Sequence, residues 1–336
     1  MVLTNLEKED RLIYHRGPFR VDSMHNIPMK KHLLPTLTLL AALLVTAAPT
    51  VIGQSKGFVP AKTPDGQPDL RGTWVNFDST PFEAPPAAGQ SNGAPIPSAP
   101  GVNPPSFWAD HDSPMKKPRR SMVVDPPEGR VPVMKWAEDK RAYDLDHVQD
   151  SEVHQTSWER CITRGMPAGM FPAGYNNAYE FIQIPGYVVI RYEMIHNARI
   201  IPIDGRPKLN AKIKQWDGEP RGHWEGSTLV VESSNYNDKG MIATSAATQR
   251  IRGIPQTEAL HVVERFTPVD QNTIMYRATI EDKNVYTGPW SVEIPLTRDP
   301  KYVIYEYSCQ EGNYATPNIL AGGRVAEREA AKGTTP

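Results

Sequence analysis

The stretch Tyr187 to Asp204, YVVIRYEMIHNARIIPID, decides how the chain is read. Two apolar, β-branched runs flank Ile195-His196-Asn197-Ala198, with Arg191, Glu193, His196 and Arg199 embedded in them. Short β-branched runs bounded by turn residues predict strands. The stretch is therefore expected to form a β-hairpin carrying charged groups where a sheet ordinarily places apolar ones.

The same pattern recurs around it. Glu180–Ile184, stopped by Pro185-Gly186, precedes Tyr187–Met194; Arg199–Asp204, Gly222–Trp224, Thr228–Ser233, Leu260–Thr267, Thr273–Asp282, Trp290–Leu296 and Tyr302–Cys309 follow. Upstream, Gly72–Phe77 reads as a first strand with Trp74 as a core anchor. Roughly nine consecutive strands joined mostly by short turns predict an antiparallel meander, and closure into a lipocalin-like barrel removes its exposed edges. The fold class is thus mainly β.

Two segments depart from the pattern. Pro132–Leu145, with Val133, Met134, Trp136, Ala137 and Tyr143 spaced among charges, predicts one short amphipathic helix. Pro81–Pro105 is rich in Pro, Ala, Gly and Ser without a period, so a long proline-rich excursion is expected there. The basic cluster Lys116-Lys117-Pro118-Arg119-Arg120 reads as solvated surface, and the tail after Ala321 as a polar, fraying terminus.

Met29-Lys30-Lys31-His32 followed by Leu33–Ala48 has the layout of a secretory signal: a basic start, a short apolar run, then small residues. The other reading of that run is a membrane anchor. The expected organisation is an unstructured extension 1–28, a signal peptide 29–54, a lead-in arm with proline-rich loops 55–135, a barrel domain 136–321 and a tail 322–336. The mature chain is expected to begin between Ala48 and Lys56, in the periplasm or outside the cell.

Of 336 residues, 37 are Lys or Arg and 38 are Asp or Glu, for a net charge of -1. That balance offers no basic surface for nucleic acid and no polybasic arm for anionic lipid. The partner classes left are small molecules or proteins, of which a small-molecule ligand or substrate is expected, with no stable membrane span after signal cleavage. The only two cysteines are Cys161 and Cys309. In an oxidising compartment they can pair, with a contribution on the order of 4 kcal/mol from closing so long a loop; the alternative is two free buried thiols.

Alternation assigns faces. Tyr187, Val189, Arg191 and Glu193 share one face of their strand; Leu260, Val262, Glu264 and Phe266 share one of theirs; Glu306 falls with Tyr302 and Ile304. Glu193, Glu264 and Glu306 are thus the candidate acid and base groups of a polar site in a barrel lumen, where desolvation and neighbouring charge separate carboxylate pKa values. His196 and Arg199, near the hairpin turn, are placed at the barrel mouth, with His196 as a proton shuttle or an exposed turn residue. His223 and His261 are weaker candidates. The bland alternative makes Arg191, Arg265 and Arg277 cross-strand partners of Glu193, Glu264 and Glu281 on a solvated face. No HExxH, CxxC, nucleotide fingerprint or GxSxG pattern is present, so no metal and no cofactor is expected.

Five strings carry a family resemblance: Glu159-Arg160-Cys161, Asp204-Gly205-Arg206-Pro207, Gly222–Val231 (GHWEGSTLVV), Ala259–Phe266 (ALHVVERF) and Tyr305–Cys309 (YEYSC). Over about Glu159 to Asn313 the chain resembles a family of exported bacterial proteins of unknown function. The resemblance implies a lipocalin-like or calycin-like barrel and no particular activity. The chain departs from the family pattern at Gly226-Ser227-Thr228, where Gly-Asp-Thr is usual, and in its glycine-rich ending Cys309–Asn313. The functional expectation is a secreted small-molecule enzyme doing cofactor-independent acid/base chemistry, of lyase, isomerase or hydrolase type, in the lumen. The alternative is a periplasmic ligand-binding protein without catalysis.

Overall fold

Period-two burial governs the long strands. In β8 (His261–Asp270), Val262, Glu264, Phe266 and Pro268 point inward while His261, Val263 and Arg265 are only partly covered. The computed structural model describes residues 58–76, 80–88, 119–173, 175–242 and 250–333. The expected extension, signal peptide and most of the proline-rich excursion lie outside them.

Among the described residues ten antiparallel strands form a nearly closed barrel. The strands are β1 (Gly72–Val75), β2 (Val123–Asp125), β3 (Ala178–Ile184), β4 (Tyr187–Tyr192), β5 (Ala198–Pro202), β6 (Glu219–Glu225), β7 (Thr228–Ser234), β8, β9 (Thr273–Glu281) and β10 (Trp290–Arg298). The ladder order is β5-β4-β3-β1-β10-β9-β8-β7-β6, with β2 also on β10. Apart from β1 and β2 this is a sequential meander. Turn chemistry sets the hairpins: Gly186 takes φ +81° between Ile184 and Tyr187, and Gly226 takes φ +60° between Glu225 and Thr228.

β1 is the closing piece. Trp74 pairs with Tyr179 of β3 on one side and with Arg298 of β10 on the other. Its ring is buried, its indole N–H donates to the Leu70 carbonyl at 2.8 Å, and the Arg298 guanidinium lies 4.2 Å from the ring centre. Pro295 sits inside β10 without a lost ladder bond, because β1 and β2 cover that edge only at residues 297–298 and 291–292. The interior is filled by side chains, including Phe181, Phe266 and Tyr276 with ring centres 5.0–5.5 Å apart in sequence.

Several expectations are corrected. Tyr302–Cys309 is not a strand: both edges of β10 are occupied, and the chain after Asp299-Pro300 leaves the sheet. The fraying tail is instead helix α2 (Ala315–Ala331). The first helix, α1 (Lys135–Asp146), buries Ala137, Arg141 and Asp144 rather than its large apolar residues, and Trp136 and Tyr143 are exposed. Arg141 anchors it by donating to the Arg252 carbonyl at 2.7 Å. The start of the proline-rich segment is packed, not loose: Phe82 is buried 4.9 Å from Phe171. Arg119 of the basic cluster is half-buried and donates to the Glu293 carbonyl at 2.6 Å.

The ends of the ladder, β5 and β6, meet through side chains. A Cβ at Gly222 would lie 2.7 Å from Ile203 Cγ2 and 2.9 Å from Ile201 Cγ2, so only glycine allows β6 this close to β5. Gly222→Val is expected to lose about 1–3 kcal/mol through overpacking of this seam, read from the urea midpoint; an unchanged midpoint would show that the seam yields freely.

Candidate functional site

Inward alternation brings Arg199 of β5 and Glu264 of β8 together in the barrel interior. Arg199 Nη2 donates to Glu264 Oε2 at 2.5 Å and to Ser233 Oγ at 2.7 Å, and the Tyr276 hydroxyl donates to Glu264 Oε1 at 3.0 Å. Glu264 is 0% exposed and the Arg199 side chain 4%. Burial opposes the Arg199 charge, and the Glu264 carboxylate together with the Tyr192 and Tyr236 hydroxyls more than offsets it, holding the guanidinium well above its ordinary pKa. Burial, reinforced by the Glu264 charge, pushes the Tyr276 hydroxyl far up, so it stays a neutral donor. Arg199 Nε and Nη1 and the Tyr236 hydroxyl are buried without hydrogen-bond partners among the described residues.

The other expected site residues lie elsewhere. Glu193 is buried, but strand β4 ends at Tyr192, and its carboxylate accepts from the Tyr302 hydroxyl at 2.9 Å and the Tyr305 N–H at 3.4 Å. His196 is exposed, and its Nδ1 donates to the Tyr307 carbonyl at 2.5 Å. Glu306 is exposed and accepts from Ser308 Oγ at 3.3 Å. The three carboxylates therefore do not share a lumen. Alternation assigned Glu193 to the lumen with Tyr187, Val189 and Arg191, but that face of β4 is the outward one, and a turn rather than the strand buries Glu193.

The outer-face ion pairs form with partners other than those expected: Arg191 with Glu180, Arg265 with Glu225 and Arg277 with Glu293. His223 and His261 join this layer through Glu225 and Glu232. Among the described residues no cluster of His, Cys, Asp or Glu is arranged to hold a metal ion.

At one end of the molecule the Tyr302–Tyr314 segment crosses the β4–β5 turn as a strap. Cys309 is disulfide-bonded to Cys161, with Cα atoms 5.7 Å apart across 148 residues of sequence. Glu193 and His196 hold the strap from below. Beside the disulfide opens a groove of about 560 Å³ whose lining includes Trp158, Glu159, Glu306, Tyr307 and Asn313. The Glu159 carboxylate is engaged, accepting from Thr156 and pairing with Arg252. Asn313 Nδ2 donates to the Glu159 carbonyl at 2.9 Å, which closes the floor.

The loop feeding this end holds residues that strand alternation does not reach. Thr163 Oγ donates to Asp217 Oδ1 at 2.7 Å and Asn197 Nδ2 to Oδ2 at 3.0 Å. Burial raises the Asp217 carboxyl above its ordinary pKa despite these bonds and the Arg199 charge. Arg164, one residue on, is buried as well. Both sit in loops rich in glycine and proline, where no periodicity marks inward positions. Tyr276 and Ser233 were readable, because each falls on the apolar parity of its strand.

The disulfide fits an oxidising compartment, and no helix among the described residues is long and apolar enough to cross a membrane. No protein-family model, no curated protein and no solved structure matches the chain.

Two outcomes follow from the buried charges. Glu264→Gln leaves the Arg199 charge uncompensated and is expected to cost about 3–5 kcal/mol, whereas Arg199→Met with Glu264→Leu recovers most of the loss. Urea unfolding of the three proteins checks this, and a single-variant loss under about 1 kcal/mol would contradict a desolvated pair. For Asp217 the folded pKa is raised, so its favourable contribution is complete below the unfolded value near 3.8 and is lost as pH rises through the folded value. Wild type should therefore lose stability relative to Asp217→Asn as pH climbs from 4 to 7, and parallel midpoint-against-pH curves would refute the assignment.

Proposed function

We propose that the chain is an exported, disulfide-tied β-barrel protein that binds a small molecule without transforming it. The observation that carries this reading is the contrast between a sealed interior and an open groove. A general acid or base must reach the proton it moves, directly or through one water. Glu264 has no exposed surface and is occupied by Arg199 and Tyr276, so the acid/base enzyme expected in the lumen has no accessible reacting group there. The concave surface beside Cys161–Cys309, with Trp158 and Tyr307 among its walls, has the size and mixed apolar and polar lining of a small-molecule site.

This reading includes removal of a signal peptide near Ala48–Lys56, a periplasmic or extracellular location, and kinship with the exported family that GHWEGSTLVV and ALHVVERF resemble. It moves the ligand from the lumen to the strap end.

A thermal-shift screen of a small-metabolite library, followed by one-dimensional NMR of each hit after prolonged incubation, tests the proposal. Saturable stabilisation is expected, weakened at least tenfold in affinity by Trp158→Ala, with hits recovered unchanged. Turnover of a hit that survives Trp158→Ala but vanishes when Glu264 is replaced would reverse it in favour of the lumen enzyme.

A further inference from the structure

Among the described residues Arg164 is a buried cation without a counter-ion. The residue is 4% exposed, and within the described residues its hydrogen bond is from Nη2 to the Phe171 carbonyl at 3.2 Å. Among the described residues Nε has no partner and no carboxylate pairs with the guanidinium. Uncompensated buried charge is costly, by several kcal/mol per ion even after relaxation. Burial shifts the Arg164 pKa down, but a guanidinium remains charged at any physiological pH.

The backbone that carries it is rigidly held. Ser157 Oγ donates to the Thr163 carbonyl at 2.8 Å, the Gly165 N–H donates to Thr163 Oγ at 3.0 Å, and Gly165 takes φ +74° with the Met241 carbonyl 2.9 Å from where a Cβ would stand. The charge is thus placed by construction rather than left by a flexible side chain. Its surroundings are aromatic. The Trp158 ring centre lies 5.8 Å from Arg164 Cζ, and the ionisable groups that act on its charge are the hydroxyls of Tyr179, Tyr307 and Tyr175, of which Tyr175 and Tyr307 are hydrogen-bonded to each other. Trp158 and Tyr307 are also walls of the strap-end groove. Arg164 therefore stands directly behind that wall.

We propose that Arg164 is the anion anchor of the groove and that the ligand is a planar monocarboxylate, its body stacked on Trp158 and Tyr307 and its carboxylate drawn between them to the guanidinium. The inference rests on the binding reading above and names its ligand class. A carboxylate matches the guanidinium fork, and an aromatic wall favours a flat body. The groove also bears Glu159, neutralised by Arg252, and Glu306, which is exposed and pairs with no cation among the described residues. That second carboxylate at the rim repels phosphates and other multiply charged anions, which narrows the class to a single negative charge.

Benzoate and its neutral isostere benzamide are the probes, titrated at constant ionic strength into disulfide-intact mature protein by calorimetry, for wild type, Arg164→Met and Arg164→Lys. Wild type is expected to prefer benzoate by about tenfold or more; Arg164→Met should lose the preference and melt no lower than wild type, since it removes an unpaired buried charge; Arg164→Lys should keep part of it. If Arg164→Met does not fold, Arg164→Gln carries the same comparison. Equal binding of both probes overturns the anion anchor and leaves the binding reading standing. A preference that persists without the arginine, a wild type indifferent to benzoate, or a folded Arg164→Met that melts well below wild type overturns it equally, whereas conversion of a hit in the metabolite screen defeats the binding reading itself.

Discussion

The ion pair between Arg199 and Glu264 is the constraint on which barrel closure depends. The ladder ends on β5 at one side and β6 at the other, so these strands are joined by side chains alone. Arg199 starts on β5 and reaches past β6 to Ser233 on β7 and Glu264 on β8. One guanidinium therefore ties three strands across the seam. Two opposite charges removed from water cost more than they return unless geometry and extra hydrogen bonds compensate, and here Tyr276 and Ser233 supply those bonds. The pair specifies which strands face each other more than it adds stability, because a wrong register would strand one charge in an apolar interior.

With the interior committed to closure, function moves to the strap end. β9 lies along one edge of β10 and β1 and β2 take the two ends of the other, so the chain after Asp299 leaves the sheet and finds other partners for its backbone. Glu193 and His196, both on the β4–β5 connection, provide them, and the disulfide fastens the far end. The connection is itself unusual: Ile195 at φ +63° and His196 at φ +39° occupy the left-handed region without being glycine. The strap so held forms one side of the groove, the Trp158–Cys161 turn forms the other, and the unpaired Arg164 lies between them and the core.

The sealed pair and the unpaired arginine mark opposite uses of buried charge. Arg199 meets an equal and opposite group and disappears into the architecture. Arg164 meets a carbonyl and aromatic rings, so its desolvation is offset by no opposite charge within the described residues. A cost left standing in this way is a functional signal beside a pair as fully compensated as Arg199 and Glu264.

What the sequence determined by itself was everything that depends on neighbouring residues. Alternation of β-branched residues marked most of the strands, glycine after proline or glutamate placed the tight hairpins, and parity along Leu260–Phe266 put Glu264 inside before any contact was known. Tertiary structure decided the rest, for reasons that no local pattern carries. β1 lies between β10 and β3, more than a hundred residues away from both, and by filling that edge it denied the Tyr302–Cys309 run the strand that its own pattern suggested. Glu193 was buried by a turn that broke the alternation, and α1 was seated by Arg141 and a distant carbonyl rather than by an apolar stripe. Arg164 left no mark at all, because a loop has no period and the absence of a counter-charge is a property of the space around a residue, not of the chain beside it.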